Sequence, residues 1–247
     1  MTALLAAEKL SRRYGSLTVV DRVDLRIEDG QRYALIGPNG AGKTTLLDLI
    51  GGAQRADGGT VRFGGRDITR TGPARRARLG IGRIHQRPAV WPTLTALDNV
   101  VVAALPQVVL RGGWRPWGFH RRVRRPAAAL LDRMGLADHA REPAGHLSHG
   151  QRRQLEIAMA LAGRPRLLLL DEPAAGLSST EVTRLVELLA ALPRTMSVLL
   201  VEHRLDLVYE LADTVTVLRD GRVLATGGPA EIRVSPALRQ AFAAGVS

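Results

Sequence analysis

The sequence predicts an α/β fold built on a mainly parallel sheet, and three observations carry that prediction. An apolar run at residues 33–36 leads directly into Gly37-Pro38-Asn39-Gly40-Ala41-Gly42-Lys43-Thr44, which fits the phosphate-binding pattern GxxxxGK[ST], and residues 45–50 then read as a helix. Two further runs, at 167–170 and 198–201, are continuously apolar, as parallel strands covered on both faces tend to be. Between them, Ser178-Ser179-Thr180-Glu181 has the capping-box pattern, and Val182, Leu185, Val186, Leu189 and Leu192 follow at helical spacing. Strand, helix and strand in that order make a parallel crossover.

The remaining elements follow along the chain. Val23, Leu25 and Ile27 alternate with Asp24, Arg26 and Glu28, the period-two pattern of a half-buried strand, and Asp29-Gly30 offers a tight turn. An antiparallel piece therefore precedes the phosphate loop. Residues 60–63 before Gly64-Gly65, and 215–218 before Asp220-Gly221 and 222–224, read as further strands and hairpins. The most apolar stretch, residues 94–110, is interrupted by Asp98, Asn99 and Pro106 and is too short to span a bilayer. Residues 87–146 differ in character, with prolines, helical stretches such as 127–134, and an arginine-rich tract at 111–125 that contains Trp114, Trp117 and Phe119. They are expected to form an inserted helical subdomain. The whole chain, 1–247, is then one domain, in which 1–86 and 147–247 supply the nucleotide-binding core and its antiparallel part.

The chemistry is read from the same elements. Glycines in 37–42 let successive backbone N–H groups point inward, the new helix adds its positive end, and Lys43 and Thr44 reach a phosphate and a magnesium ion. Of 35 Lys and Arg residues, all but Lys9 and Lys43 are arginine, so a lysine at this position stands out. A slim ammonium can enter a loop crowded by phosphate oxygens where a planar guanidinium cannot. Asp171 and Glu172 follow the strand at 167–170, at its carboxyl end, where open α/β sheets place ligands. Asp171 suits magnesium and Glu172 suits polarising a water that attacks the γ-phosphate. His203 ends the next apolar strand, after Glu202, and can reach the γ-phosphate or that water. Gln86 stands at the entrance to the inserted region, where an amide can reach both magnesium and water. Leu147-Ser148-His149-Gly150-Gln151 opens a helix with Leu155, Ala158, Met159 and Ala162 on one face, which places Ser148 and Gly150 at a positive helix end suited to an anion.

Composition narrows the partners. At 247 residues the chain buries a full core without staples, and the absence of cysteine excludes disulfides and thiolate metal sites. The first residues show no signal-peptide pattern, so the expected location is the cytoplasm. A net charge of +12 suits nucleic acid, an acidic membrane surface, or an arginine-rich composition alone. The 111–125 tract carries the same three readings: a solvated insertion, an edge that meets a permease or anionic headgroups, or a nucleic-acid surface. His146 and His149 lie three apart but have no third ligand nearby, which argues against a metal site.

A phosphate loop followed by Leu147-Ser148-His149-Gly150-Gln151 and then Asp171-Glu172 closely resembles the ATP-binding-cassette (ABC) ATPases over essentially the whole chain. The resemblance implies a P-loop NTPase with a RecA-like core. It implies that Tyr14 stacks on adenine, that Gly37, Pro38, Asn39, Gly40, Ala41, Gly42, Lys43, Thr44 and Thr45 hold the phosphates of ATP, and that Thr44, Gln86 and Asp171 hold Mg2+. Glu172 corresponds to the catalytic base, His203 to the switch histidine, and Gln86 to the glutamine that reports ATP to a partner. Ser148, His149, Gly150 and Gln151 belong to the signature motif, which acts on the ATP held by a second subunit. The implied partners are a second ATPase subunit, forming a homo- or heterodimer, transmembrane permease subunits and, indirectly, an external solute-binding protein. The implied place is the inner face of the membrane. Two positions depart from the family pattern: His149 replaces the commonest glycine, and Ser178 stands where many members have aspartate. The signature together with Glu172-Pro173-Ala174-Ala175-Gly176-Leu177 and Val201-Glu202-His203 is most similar to importers of branched-chain amino acids and of urea. A soluble ABC ATPase acting on nucleic acid or ribosomes is the alternative, though such members usually carry two cassettes or a long coiled-coil insertion.

Overall fold

A computed structural model of the chain describes residues 3–84, 90–110 and 120–243. In chain order its elements are β1 (Leu5–Tyr14), β2 (Leu17–Ile27), β3 (Arg32–Ile36), α1 (Lys43–Gly51), β4 (Gly58–Phe63), β5 (Arg66–Asp67), α2 (Pro73–Leu79), β6 (Ile81–Ile84), α3 (Ala96–Leu110), α4 (Arg125–Arg133), α5 (His149–Ala162), β7 (Leu167–Asp171), α6 (Ser179–Ala190), β8 (Ser197–Val201), α7 (Leu205–Leu211), β9 (Thr214–Arg219), β10 (Arg222–Gly227), α8 (Pro229–Val234) and α9 (Pro236–Phe242). Contacts divide them into two units, one comprising Met1–Arg76, Leu169–Glu172 and Leu192–Ser247, the other Ala77–Leu168 and Pro173–Ala191.

The first unit contains an antiparallel sheet of order β2-β1-β4-β5. In β2, Val20, Val23, Leu25 and Ile27 are buried while Arg22, Asp24 and Arg26 are exposed, the alternation legible in the sequence. β1 lacks so clean a pattern. Its register shifts between Ala7 and Leu10, and Lys9 adopts a φ of 50°, so a bulge moves Leu10 inward out of phase with Leu5 and Ala7.

The second sheet of this unit runs β10-β9-β3-β8 and continues into the Leu169–Asp171 part of β7. β3 is parallel to both β8 and β9, and every residue of β3 and β8 is buried. That two-sided burial is why those strands read as unbroken apolar runs. The carboxyl ends of β3, β7 and β8 carry, in turn, the glycine-rich loop, Glu172, and Glu202 with His203. α7, α8 and α9 contribute Val208, Ile232 and Ala241 to a core with Ala34, Ile36, Val215 and Val217.

In the second unit, β6 lies beside the start of β7, and the amides of Arg166 and Leu167 donate to Gly80 O. α3 occupies the apolar stretch that Asp98, Asn99 and Pro106 punctuate. The polar pair does not break this helix; it builds its first turn. Thr95 Oγ1 accepts from the Asp98 amide, and fully buried Asn99 donates to Trp91 O, Leu94 O and Thr95 O while accepting from the Trp91 amide. α4 forms where the 127–134 pattern placed a helix. Among the described residues no helix is long and apolar enough to cross a membrane. Residues 111–119, the body of the Arg/Trp tract, lie outside the described residues; beyond them, Arg124 donates to Asp98 at 3.0 Å.

Candidate functional site

The loop from Gly37 to Gly42 leaves β3 and ends at the first residue of α1. Close backbone approaches account for two of its glycines. A Cβ on Gly37 would collide with Leu218 O of β9, and one on Gly42, whose φ is 96°, with Val19 O of β2. Gly42 is also the N-cap of α1, and no side chain caps that helix. Its first amides are thus left to an incoming anion, which the helix dipole also favours. Within the loop, Ala41 is buried and donates to Pro38 O, whereas Asn39 and Gly40 are exposed.

Lys43 is 5% exposed, and its Nζ donates to Gly37 O at 2.8 Å and Pro38 O at 2.9 Å. The ammonium therefore spans the loop on main-chain carbonyls. Burial pushes its pKa below the usual lysine value, opposed by the charges of Glu172, Asp171 and Glu202. Those three acids come from the ends of two neighbouring strands, so the strand order alone converges them on one cation. Thr44 is exposed, and its hydroxyl donates to Asp171 Oδ1 at 3.3 Å, while Thr45 is half-buried. A hydroxyl beside a buried carboxylate is a hard-oxygen pair that fits Mg2+ shared with phosphate oxygens.

Glu172 adopts a φ of 45°, and its amide donates to Val201 O at 2.9 Å. A left-handed non-glycine residue costs about 1–3 kcal/mol and persists only where its surroundings impose it. Here the turn out of β7 imposes it on the residue read as the base. His203 is exposed; its amide donates to Glu202 Oε2 at 3.1 Å, and its Nδ1 lies 3.7 Å from the same oxygen. Glu202 is fully buried. Glu202 carries no motif; its one signal in the sequence is an acid that directly follows an apolar strand, as Glu172 follows β7.

Tyr14 is reached by a different route. It ends β1 half-exposed, its hydroxyl donates to Gln54 Oε1, and Gln54 Nε2 donates to Asp48 of α1 at 2.8 Å. The Arg12 guanidinium sits 4.8 Å over the Tyr14 ring and is itself held by Asp57 at 2.9 Å. Among the described residues Tyr14 has no hydrogen bond to the loop or to the carboxylates; its link through Gln54 reaches α1 instead. Gln86 lies outside the described residues.

One positioning group has no motif to announce it. Arg76 is 1% exposed; it donates to Leu49 O and Ile50 O at 2.6 Å each, Ile68 O at 2.7 Å, Thr71 O at 2.8 Å and Thr69 O at 3.2 Å. Leu49 and Ile50 belong to the last turn of α1, so a cation satisfies the free carbonyls at the end opposite the phosphate loop. Burial lowers the Arg76 pKa to about 10.

The predicted signature is the start of α5. Ser148 is its N-cap: Ser148 Oγ accepts from the Gln151 amide at 3.2 Å, and Gln151 Oε1 accepts from the Ser148 amide at 2.8 Å. The Gln151 side chain is thus committed to the cap, and its Nε2 meets His139 Nε2 at 2.8 Å. His149 is exposed, with its ring beside Gly176. α6 starts in the same way, Ser178 capping and Glu181 closing the box. The Glu181 carboxyl is held below the usual carboxylate range, first by the Ser178 amide and hydroxyl, then by the Gly150 amide and the charge of His149. Further along α5, buried Arg153 donates to Pro173 O at 3.0 Å and pairs with Glu156 at 2.7 Å.

Comparison with known proteins bears on the family and the fold. Residues 20–175 match the family described as ABC transporter. The high-affinity branched-chain amino acid transport ATP-binding protein BraF of Pseudomonas aeruginosa is 37% identical over 247 residues, covering 97% of each chain. LivG of Escherichia coli K12, of the same description, is 35% identical with the same coverage. The sulfate/thiosulfate import ATP-binding protein CysA 2 of Chromobacterium violaceum is 40% identical over 237 residues, 95% of this chain and 61% of that protein. Among solved structures, the ADP conformation of MJ1267, an ATP-binding cassette of an ABC transporter, superposes with a TM-score of 0.84 at 28% identity, covering 99% of this chain and 100% of that one.

Proposed function

Because the chain belongs to the ABC transporter family, we propose that it is the ATP-hydrolysing subunit of an importer, energising uptake of branched-chain amino acids or a similar small polar solute. The observation that carries the reading is the convergence of Lys43, Thr44 and Asp171, with Glu172 next in the chain, at the carboxyl ends of parallel strands. Full-length similarity to BraF and LivG supports the solute class, although the 40% identity to a sulfate importer shows that overall identity does not by itself sort solutes.

In this reading Gly37 to Thr45 cradle the phosphates of ATP, and Lys43 exchanges its loop carbonyls for phosphate oxygens. Thr44 and Asp171, with Gln86, would hold Mg2+, which neutralises charge on the transferring phosphoryl group. Glu172 takes the proton of the attacking water, and His203, aligned by Glu202, faces the γ-phosphate. Tyr14 stacks on adenine. Ser148 and Gly150 present the start of α5 to ATP held by a second subunit, so hydrolysis requires a dimer. The subunit then sits on the inner face of the membrane against permease subunits, with an external binding protein delivering the solute.

Purification under mild conditions tests the assignment. Co-isolation with a multi-spanning permease, and ATP hydrolysis stimulated by the loaded binding protein, are the expected results. Salt-sensitive binding to DNA or RNA without a permease would instead support the nucleic-acid class.

A further inference from the structure

His149 and Ser178, the two positions at which the chain departs from the family pattern, meet around one carboxylate. Glu181 Oε2 accepts from the Ser178 amide at 2.9 Å and from the Ser178 hydroxyl at 2.8 Å. Its other oxygen, Oε1, packs against Gly150 at the start of α5, where an added Cβ would collide with it, and the Gly150 amide helps to hold the carboxyl below its usual range. His149 adds its charge to that set, and its ring packs beside Gly176. Two helix starts, α5 and α6, therefore meet at a single carboxylate, with Oε2 accepting from Ser178 and Oε1 packed against Gly150. A capping box needs only the first of these contacts.

We propose that Glu181 is a positioning residue for ATP hydrolysis: its carboxylate ties the start of the signature helix α5 to the 176–178 segment before α6, so that both are presented to the second subunit's nucleotide as one piece. Glu181 itself does not touch nucleotide. The proposal rests on the reading that Ser148 and Gly150 act on ATP held by another subunit.

Glu181→Gln separates this role from capping. The amide keeps one oxygen, which can remain on the two Ser178 donors, and glutamine serves as well as glutamate at this position of a capping box. The other oxygen becomes an NH2 group, a donor in place of the negative oxygen packed against the start of α5, so only the attraction to α5 is lost. The expected result is a binding affinity for a fluorescent ATP analogue close to wild type, with ATP turnover by the full-length protein lowered about tenfold, as losing one contact to a charged group implies. Glu181→Ala should lower turnover to the same degree and lower the melting temperature further than Glu181→Gln does, because it removes the cap as well. Wild-type turnover in Glu181→Gln would reduce the residue to a cap and overturn the proposal. Faster turnover would also overturn it, showing that the carboxylate competes with an incoming phosphate. Ser148→Arg, assayed alongside, distinguishes the two levels: if it leaves hydrolysis unchanged, the reading of α5 itself fails; if it abolishes hydrolysis while Glu181→Gln does not, only the tie fails.

Discussion

In the proposed function the starts of α1 and α5 both meet phosphate, yet they are built in opposite ways. α1 begins after a glycine, with no side-chain cap and with the phosphate-loop lysine folded back on its own loop. α5 begins with a closed capping box, and its Gly150 amide already faces Glu181. An uncapped start leaves backbone donors unsatisfied until an anion arrives, so its stability depends on nucleotide. A capped start is satisfied internally and keeps its shape without ligand. The first suits a site that binds ATP by itself, and the second suits a surface that must stay rigid until another subunit brings ATP to it.

Lys43→Ala should have the largest effect on this contrast, removing the buried cation at the open start; ATP affinity measured by equilibrium binding is expected to fall at least a hundredfold, and unchanged affinity would refute the site. Glu172→Gln comes next. It should leave ATP binding intact and slow hydrolysis by about two orders of magnitude, within the usual range for loss of a general base, and normal turnover would remove Glu172 from that role. Ser148→Ala probes the closed start, where loss of an N-cap costs roughly 1 kcal/mol; a thermal melt should register it, whereas an identical melt would mean that the cap does not hold α5. The smallest effect is expected for His149→Gly, with hydrolysis within an order of magnitude of wild type. Complete loss there would assign the imidazole a specific role.

The sequence disclosed the elements whose burial is uniform or strictly periodic. β2 shows its alternation, the β3 and β8 runs show their two-sided burial, and the capping box at Ser178 and the helix start at Ser148 are legible because such signals are local. β1 stayed hidden because a bulge at Lys9 breaks its period. α3 was obscured by Asp98 and Asn99, which interrupt apolarity where they serve the helix start. In the site, Lys43, Thr44, Asp171 and Glu172 were legible from motif and strand end. Glu202, Arg76 and the tie between Gly150 and Glu181 were not, since each depends on which distant backbone atoms the fold brings alongside.

The hold of Arg76 on the last turn of α1 has a consequence for how this chain tolerates change. All five of its acceptors are main-chain oxygens, at Leu49, Ile50, Ile68, Thr69 and Thr71. The grip depends on the course of the backbone and not on the side chains at those positions, of which Leu49, Ile50 and Ile68 are instead fixed by their own burial in the core. Position 76 has no such freedom, because a lysine offers three donors from one point where five carbonyls wait in a fan. The anchor of the nucleotide helix is therefore lopsided: it reads only the backbone at five positions and depends on the side chain of one.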